Sequence, residues 1–479
     1  MDAQPSFDLQ VSQIKFLSRE ESEMHAIVTV GARNAGAGPG GRAPEGAEIV
    51  LVDCSTSMGD PPSKMVAARR ATIAAIDSMR DGTRFAVVAG THEARMAYPR
   101  EEATAVADPR SRADAATAVH RLYANGGTAM GTWLARARVL LDGHPAAIRH
   151  AVLLTDGFNV SEARAELDRE LAACAGHFSC DARGIGDGWE PEELLRIVTA
   201  LGGTADAVRR EDELEADFRA LMRTAMGKAV PAVALRVSTP PDVRTRFVKQ
   251  VFPAFADLAG KTREVDARTV EVDTGAWGDE VREFHVCLAL DSADRELSVD
   301  RRVARLDLLP EGDATVDGSP ANVFVHWTDD PRLSTLIDPK MSRYTRHGEL
   351  KEAIDTGFEA YRSGDPKRAA AEWARAMELA AKLENDRILR RLRRVVAVDS
   401  DGLPRLRDDA GDLDSKRLRI ASRDTHGGAD GRGAAPGSAR GEPEGATRTC
   451  PNCDRRTPSG TYCTHCGAPM NGGASGGAV

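Results

Sequence analysis

Short runs rich in apolar residues alternate with amphipathic segments between residues 46 and 230. The runs occupy residues 48–53, 84–90, 150–156 and 180–186. Apolar runs of this length are typical of strands that are covered on both faces. The intervening segments repeat apolar residues at helical spacing, which predicts helices over residues 64–80, 113–123, 127–141, 161–175, 191–203 and 213–229. This alternation predicts an α/β fold, with a doubly wound and mostly parallel sheet over residues 46–230.

The pattern changes on both sides of this unit to strand-like segments without helices between them. After Pro231 such segments occupy residues 233–237, 244–251, 263–273, 282–290, 302–309 and 322–327. Gly, Pro and Asp separate them, which predicts an antiparallel β-sandwich over residues 231–330. Two more strand-like segments lie within residues 1–45, and we expect them to join the sandwich. The α/β unit would then be an insertion in it.

The last third of the chain shows three further patterns. Residues 331–398 are helical in pattern, and a Gly-Asp-Pro turn between two amphipathic stretches resembles one tetratricopeptide-like hairpin. Residues 399–448 are rich in Asp, Arg, Gly, Ser and Ala and have few large apolar residues. Because such a composition cannot support a core, we predict a disordered linker there. Residues 449–470 contain closely spaced cysteines.

Composition and charge exclude several classes of protein. The 479 residues carry a formal net charge of −9, which argues against a nucleic-acid-coating protein. No stretch approaches the roughly 18–20 apolar residues that span a bilayer, and the first residues lack the basic and apolar regions of a secretory signal. Four of the eight cysteines are crowded between residues 450 and 466, which indicates metal ligands rather than a disulfide framework. We therefore expect a cytoplasmic protein.

Oxygen-bearing side chains follow the predicted strands of the α/β unit. Asp53, Ser55 and Ser57 come at the end of the first apolar run, Thr128 follows two glycines, and Asp156 ends the third run. Open α/β sheets bind ligands at the carboxyl ends of their strands. A hard divalent cation prefers oxygen ligands, and Mg²⁺ takes about six of them. The five side chains therefore predict a site for Mg²⁺ or Mn²⁺.

Two other interpretations of these residues are open. Ser55, Ser57 and Asp156 are also residue types that cap helices, and any one motif alone would favour that role. The coincidence of three loops favours the metal site. A serine nucleophile is disfavoured, because there is no Gly-x-Ser-x-Gly elbow and no histidine is placed by the sequence as its base.

The three motifs Asp-x-Ser-x-Ser, Gly-Gly-Thr and Thr-Asp-Gly, in this order, resemble the von Willebrand factor A family over residues 46–228. The resemblance implies a complete metal-ion-dependent adhesion site at Asp53, Ser55, Ser57, Thr128 and Asp156. It also implies that the hydroxyls bind the metal directly, while the aspartates often act through water. Neutral ligands leave the cation with most of its charge, so that it attracts a carboxylate from another protein.

The clustered cysteines predict a second metal site. Cys450 and Cys453 form one Cys-x₂-Cys pair, and Cys463 and Cys466 form another after nine residues. Each pair can present two thiolates to one tetrahedral Zn²⁺. The segment 449–470 resembles the short zinc ribbons found at protein termini, and the metal would supply most of its folding free energy. Disulfides or idle thiols are the alternative.

These features predict a non-enzymatic binding or scaffold protein, whose Mg²⁺ captures an Asp or Glu of a partner. The layout resembles cytosolic actinobacterial A-domain proteins, a group often linked with Ser/Thr kinases, phosphatases and forkhead-associated domains in signalling. One alternative is a subunit that works with an AAA+ ATPase, as chelatase partners do. A Mg²⁺-dependent hydrolase is another, although the sequence shows no P-loop, no two-metal carboxylate motif and no evident general base.

Overall fold

The computed structural model describes residues 4–36, 44–291, 295–426, 447–449 and 456–458. The chain divides into two units, residues 1–432 and residues 433–479. In the first unit, the described residues before the α/β region form strands β1 (Ser6–Ser12), β2 (Phe16–Leu17) and β3 (Glu23–Arg33).

The α/β region follows as one open sheet with helices on both faces. Its elements are β4 (Gly46–Asp53), α1 (Ser63–Asp77), β5 (Arg84–Gly90), β6 (Ala94–Tyr98), β7 (Ala105–Val106), α2 (Pro109–His120), α3 (Met130–Asp142), β8 (Ile148–Thr155), α4 (Arg164–Cys174), β9 (Ser179–Gly184), α5 (Pro191–Leu201), β10 (Ala205–Ala207) and α6 (Leu214–Met226). The strand order is β10-β9-β8-β4-β5-β6, and β7 also pairs with β5. All pairs are parallel except those that β6 and β7 make with β5. The predicted α/β fold with a mostly parallel sheet is confirmed.

Burial on both faces explains why the strands of this sheet are apolar without alternation. In β4, Val50 and Val52 belong to one buried cluster, which includes residues of α1 and α6. Ile49 and Leu51 belong to a second cluster, which includes residues of α3, α4 and α5. Successive side chains of a strand point to opposite faces, so each face of the sheet has its own layer of helices.

The region after the α/β unit returns to strands. They are β11 (Val233–Ser238), β12 (Val243–Phe252), β13 (Ala256–Asp257), β14 (Thr262–Asp266), β15 (Thr269–Asp273), β16 (Val281–Leu290), β17 (Asp300–Pro310), β18 (Thr315–Asp317) and β19 (Ala321–Trp327). Within the described residues they form two sheets, β13-β12-β16-β3-β1-β18 and β14-β15-β11-β17-β19-β2. The strands before residue 45 thus pair with strands after residue 231. One buried cluster contains residues of both sheets, such as Phe284 of the first and Leu235 of the second.

The prediction of one strand over residues 263–273 is wrong, because the segment forms the antiparallel pair β14 and β15. The chain reverses at Asp266, whose carboxylate accepts a hydrogen bond of 2.8 Å from the backbone N–H of Arg268. An aspartate that bonds the backbone two residues on favours a turn over continued strand pairing.

Helices dominate the rest of the first unit. Its elements are α7 (Pro331–Ser334), α8 (Pro339–Arg362), α9 (Pro366–Lys382), α10 (Asp386–Val395), β20 (Val396–Val398), β21 (Pro404–Leu406) and α11 (Asp412–Ala421). Asp338 and Asp365 cap the first turns of α8 and α9, each of which has a proline at its first position. Trp373 of α9 packs so closely on Gly357 of α8 that a Cβ there would lie 2.4 Å from the indole ring.

The prediction of a disordered linker over residues 399–448 is wrong for its first part, where β21 and α11 form. Leu418 is fully buried with the helices α8–α10, whereas Ile420 packs with Trp189 of the α/β unit. Lys416 is 3% exposed, and its ammonium donates a hydrogen bond of 2.6 Å to the carbonyl oxygen of Asp187. The composition has few apolar residues, but these few lie against surfaces that other elements provide. Residues 427–446 lie outside the described residues.

In the second unit the described residues are an antiparallel pair of short strands, β22 (Thr447–Thr449) and β23 (Arg456–Pro458). The predicted zinc ligands Cys450, Cys453, Cys463 and Cys466 lie outside the described residues. In the part of the chain that the structure describes, no helix combines the length and the apolar character needed to cross a bilayer.

Candidate metal centre

The two predicted aspartates lie at the carboxyl ends of adjacent parallel strands. Asp53 ends β4, and Asp156 directly follows β8. Because β4 and β8 pair in the centre of the sheet, these ends are neighbours. Both aspartate residues are completely buried, so their charges need partners within the site.

The serine hydroxyls and Asp156 form a connected set of oxygen atoms. The hydroxyl oxygens of Ser55 and Ser57 are 2.9 Å apart, and the Ser57 hydroxyl donates a hydrogen bond of 2.7 Å to Oδ1 of Asp156. Neighbouring ligands of an octahedral Mg²⁺ with bonds of about 2.1 Å are about 3.0 Å apart. The chemistry and the spacing of these oxygens therefore fit a hard divalent cation.

Both carboxylate oxygens of Asp53 are engaged by the protein. Oδ1 accepts a hydrogen bond of 2.8 Å from the backbone N–H of Ser55, and Oδ2 accepts one of 2.6 Å from the Thr155 hydroxyl. Burial raises the pKa of Asp53 to about 6, and the charge of Asp156 adds to this rise, while the hydrogen bonds from Ser55 and Thr155 oppose it. Asp53 therefore holds the loop after β4 to the end of β8.

Thr128 reaches the same edge of the sheet from the loop before α3. Its residue is 3% exposed, and its backbone N–H donates to the Ser161 hydroxyl at 3.1 Å. A Cβ added to Gly157 would lie 3.2 Å from the Ser57 hydroxyl oxygen and 3.9 Å from that of Thr128. The two hydroxyls thus flank the same glycine, and the structure brings all five predicted residues to one place.

Sequence reasoning missed Lys64, which lies on α1. Its ammonium is 2.9 Å from Oδ2 of Asp156, and only 9% of the residue is exposed. This contact neutralises part of the charge of Asp156 inside the protein. A lysine on the apolar side of a predicted helix is the signal that could have drawn attention to it.

The loop after Asp156 fixes the start of α3 through two further side chains that sequence reasoning missed. Asn159 accepts a hydrogen bond of 2.9 Å from the backbone N–H of Met130, and Glu162 accepts one of 2.7 Å from that of Gly131. Both satisfy N–H groups that the first turn of a helix leaves free. The loop that carries Asp156 therefore also holds the helix that follows Thr128.

The surroundings of the centre are open and partly apolar. Phe158 and Val160, in the loop after Asp156, are 46% and 75% exposed. A cleft of about 530 Å³ is lined by Ala129, the residue after Thr128, together with His92, Thr132, Ser161 and Glu162 among others. A side chain from another molecule can therefore approach this edge of the sheet.

Comparisons with known proteins agree with this fold. The sequence model described as the von Willebrand factor type A domain matches residues 47–207. The solved structure of a von Willebrand factor type A protein from Catenulispora acidiphila is 39% identical, has a TM-score of 0.81, and is matched over 88% of this chain and 97% of that chain. The ArnB paralog VWA2 from Sulfolobus acidocaldarius shares the fold at 12% identity and a TM-score of 0.50, over 88% of this chain and 98% of that chain. No curated protein matches the sequence. The match to the Catenulispora protein extends well beyond the domain itself, and the chain belongs to the von Willebrand factor type A family.

Proposed function

We propose that this chain is a non-enzymatic protein-binding protein that captures an Asp or Glu side chain of a partner through Mg²⁺ or Mn²⁺. The ion would be held by Ser55, Ser57 and Thr128, with Asp53 and Asp156 behind them. When bound, it would supply a positive charge at an open coordination position. The observation that carries the proposal is the continuous set of oxygens from Ser55 through Ser57 to Asp156 at octahedral spacing.

The engagement of the carboxylates supports capture rather than catalysis. Asp53 accepts hydrogen bonds at both oxygens, and Asp156 accepts one from Ser57 and one from Lys64. Because these bonds engage the carboxylate oxygens, we propose that the neutral hydroxyl oxygens of Ser55, Ser57 and Thr128 bind the cation directly. Lys64 also offsets the charge of Asp156. A cation that keeps most of its charge attracts a carboxylate strongly.

The open side of the centre supports a macromolecular partner. The exposed apolar side chains of Phe158 and Val160 would pack against residues that flank the captured carboxylate. Aromatic and apolar contacts supply much of the affinity at protein interfaces, whereas the charged contact fixes the register. This combination suits a folded partner better than a small acid.

Further proposals rest on the sequence alone. The cysteines 450, 453, 463 and 466 would bind Zn²⁺ in a C-terminal ribbon. The protein would act in the cytoplasm of an actinobacterium. Its partners would be Ser/Thr kinases, phosphatases or forkhead-associated proteins, or an AAA+ ATPase.

Calorimetry with Mg²⁺ and Mn²⁺ tests the metal site. We expect one ion per chain in the wild type, and at least tenfold weaker binding in Asp156→Ala and in Ser57→Ala, because each removes an oxygen from the connected set. Asp81→Ala is the matched control, since Asp81 is an exposed carboxylate that pairs with Arg112. Unchanged affinity in both site variants would contradict the assignment.

A pulldown from native lysate tests capture separately. We expect a partner that is retained by the wild type in Mg²⁺, released by EDTA, and absent with Asp156→Ala. The identified partner is then purified, and each of its surface Asp and Glu residues near the contact is changed to Asn or Gln. If one such change abolishes binding, capture is supported. If retention is the same in EDTA, the metal-dependent mechanism is wrong even where the metal binds.

A further inference from the structure

A second group of side chains that can bind a metal lies outside the α/β unit, on the paired strands β3 and β16. Their register places Cys287 opposite His25 and Ala289 opposite Glu23. Since alternate residues share a face, Glu23, His25, His285 and Cys287 lie on one face of this sheet. The other face carries Met24, Ala26, Phe284 and Val286, which are buried in the core between the two sheets.

Three ligand atoms of this group lie close together. Oε2 of Glu23 is 3.6 Å from Nε2 of His25 and 3.7 Å from Sγ of Cys287. The three atoms lie within 4.8 Å of one another. In a tetrahedral zinc site with typical bond lengths, a ligand oxygen lies about 3.3 Å from a nitrogen and about 3.5 Å from a sulfur. The observed separations are larger by only a few tenths of an ångström.

We propose that Glu23, His25 and Cys287 form a Zn²⁺ site with three protein ligands and an open fourth position. Thiolate, imidazole and carboxylate together are a zinc ligand set, whereas Mg²⁺ and Ca²⁺ prefer oxygen alone. The carboxylate and the thiolate balance the two charges of the ion. Binding displaces the thiol proton of Cys287 to solvent, so one proton is released for each ion bound.

His285 orients the imidazole of His25. Its Nε2 is 3.0 Å from Nδ1 of His25. If His25 presents the lone pair of Nε2 to the metal, its Nδ1 carries the proton and donates a hydrogen bond to Nε2 of His285. An acceptor on the second ring nitrogen is the usual support of a metal-bound histidine.

Solvent reaches this group on the side of Glu23 and His25, whereas Cys287 is fully buried. Arg246 forms an ion pair with Oε1 of Glu23, the oxygen that does not face His25 and Cys287. The side chains of His25 and Glu23 are 40% and 33% exposed. An ion can therefore enter from solvent, and water or a ligand from another molecule can complete the tetrahedron. Bound zinc would join the segment before the α/β unit to the segment after it, because β3 and β16 belong to these two segments.

The test uses the full chain with Cys450, Cys453, Cys463 and Cys466 all changed to Ser, in excess Mg²⁺ to occupy the first centre. The probes are Zn²⁺ in calorimetry and Co²⁺ in absorption spectroscopy. We expect one ion per chain, a cobalt–thiolate charge-transfer band, and a higher midpoint of thermal unfolding with Zn²⁺.

Single variants in this background assign the ligands. Cys287→Ser should abolish the thiolate band, and His25→Gln and Glu23→Gln should each lose the stoichiometric ion. His285→Gln should weaken binding about 10–100-fold, as removal of a supporting residue does. Glu23 and His25 are partly exposed, so their variants test the site even if Cys287→Ser misfolds. Cys174→Ser is the control, because Cys174 is also a buried free thiol.

Two results would overturn the proposal. One is the absence of a bound ion in the background protein. The other is binding that survives both Glu23→Gln and His25→Gln. Asp53→Ala should remove the first metal centre and leave Zn²⁺ binding at Glu23, His25 and Cys287 unchanged. A failure of the zinc proposal can therefore be told apart from a failure of the first centre.

Discussion

The free energy of unfolding of the α/β unit should fall at alkaline pH, because the unit contains a buried histidine between two carboxylates. His150 of β8 lies between Glu48 of β4 and Asp181 of β9, with nitrogen–oxygen distances of 2.7 and 3.0 Å. Burial lowers the pKa of His150, but the attraction of the two carboxylates outweighs it and raises the pKa to about 9. The imidazolium is therefore charged in the folded protein at neutral pH.

The sign and size of the effect follow from linkage. A group whose pKa is higher in the folded state stabilises the protein fully below its unfolded pKa, which is 6.5 for histidine, and that stabilisation is lost as the pH rises through about 9. One pKa unit corresponds to about 1.4 kcal/mol, so the free energy of unfolding should fall by about 3 kcal/mol between pH 6.5 and pH 9.5.

Hydrogen exchange with mass spectrometry measures the free energy of opening for individual segments. A local measurement is needed because the chain has several hydrophobic cores, which can unfold separately. Opening free energies of β4 and β8 are obtained at several pH values after correction for the intrinsic exchange rate. His150→Gln should remove the pH dependence, and should cost about 3–5 kcal/mol at pH 6.5 because Glu48 is then buried without its ion-pair partner. His177→Gln is the control, since that histidine is 41% exposed beside Asp142. A flat profile between pH 6.5 and pH 9.5 in the wild type would refute the reasoning.

Three further substitutions test the packing around the first metal centre and helix α11. Gly157→Ala should weaken Mg²⁺ binding in calorimetry, because the new Cβ would lie 3.2 Å from the Ser57 hydroxyl oxygen and displace it. Gly90→Ala should destabilise the α/β unit by several kcal/mol in thermal unfolding, because its Cβ would lie 2.3 Å from the ring of Trp133. Leu418→Ala should cost about 2–5 kcal/mol and release α11, seen as faster hydrogen exchange over residues 412–421.

Matched controls separate these effects from general damage. Gly260→Ala should be nearly neutral, since no atom lies within 4 Å of the added Cβ. Leu403→Ala should leave the exchange of α11 unchanged, since Leu403 is 59% exposed. Equal losses in the test and control variants would contradict the packing argument.

The four central strands and the six helices of the α/β unit could be predicted because their pattern is local, whereas the short edge strands β6, β7 and β10 were missed. Each central strand is buried on both faces, so its sequence is an apolar run, and each helix repeats apolar residues on one side. The proposed ligand residues Asp53, Ser55 and Ser57 also lie within five consecutive positions of the chain. Their position at a strand end follows from the pattern, and the tip of a parallel sheet is where ligands bind.

Helix α11 shows where amino-acid composition leads to a wrong prediction of disorder. Residues 412–421 contain three large apolar side chains among five charged ones, and a helix of ten residues is marginal alone. It forms because Leu418 and Ile420 each find an apolar surface on a different part of the protein, and because Lys416 finds the carbonyl oxygen of Asp187. The composition of a segment does not show which surfaces of other elements the segment packs against.

By itself, the sequence determined the fold class of the central unit and the five oxygen-bearing residues at its edge, because burial pattern and strand ends are properties of neighbouring residues. Only the tertiary structure decided which groups surround them and which distant residues meet. Lys64 reaches Asp156 from a helix 92 positions away, and Cys287 meets Glu23 across 264 positions. Such contacts depend on how strands pair and how helices pack, and a linear pattern of residues carries no record of that geometry.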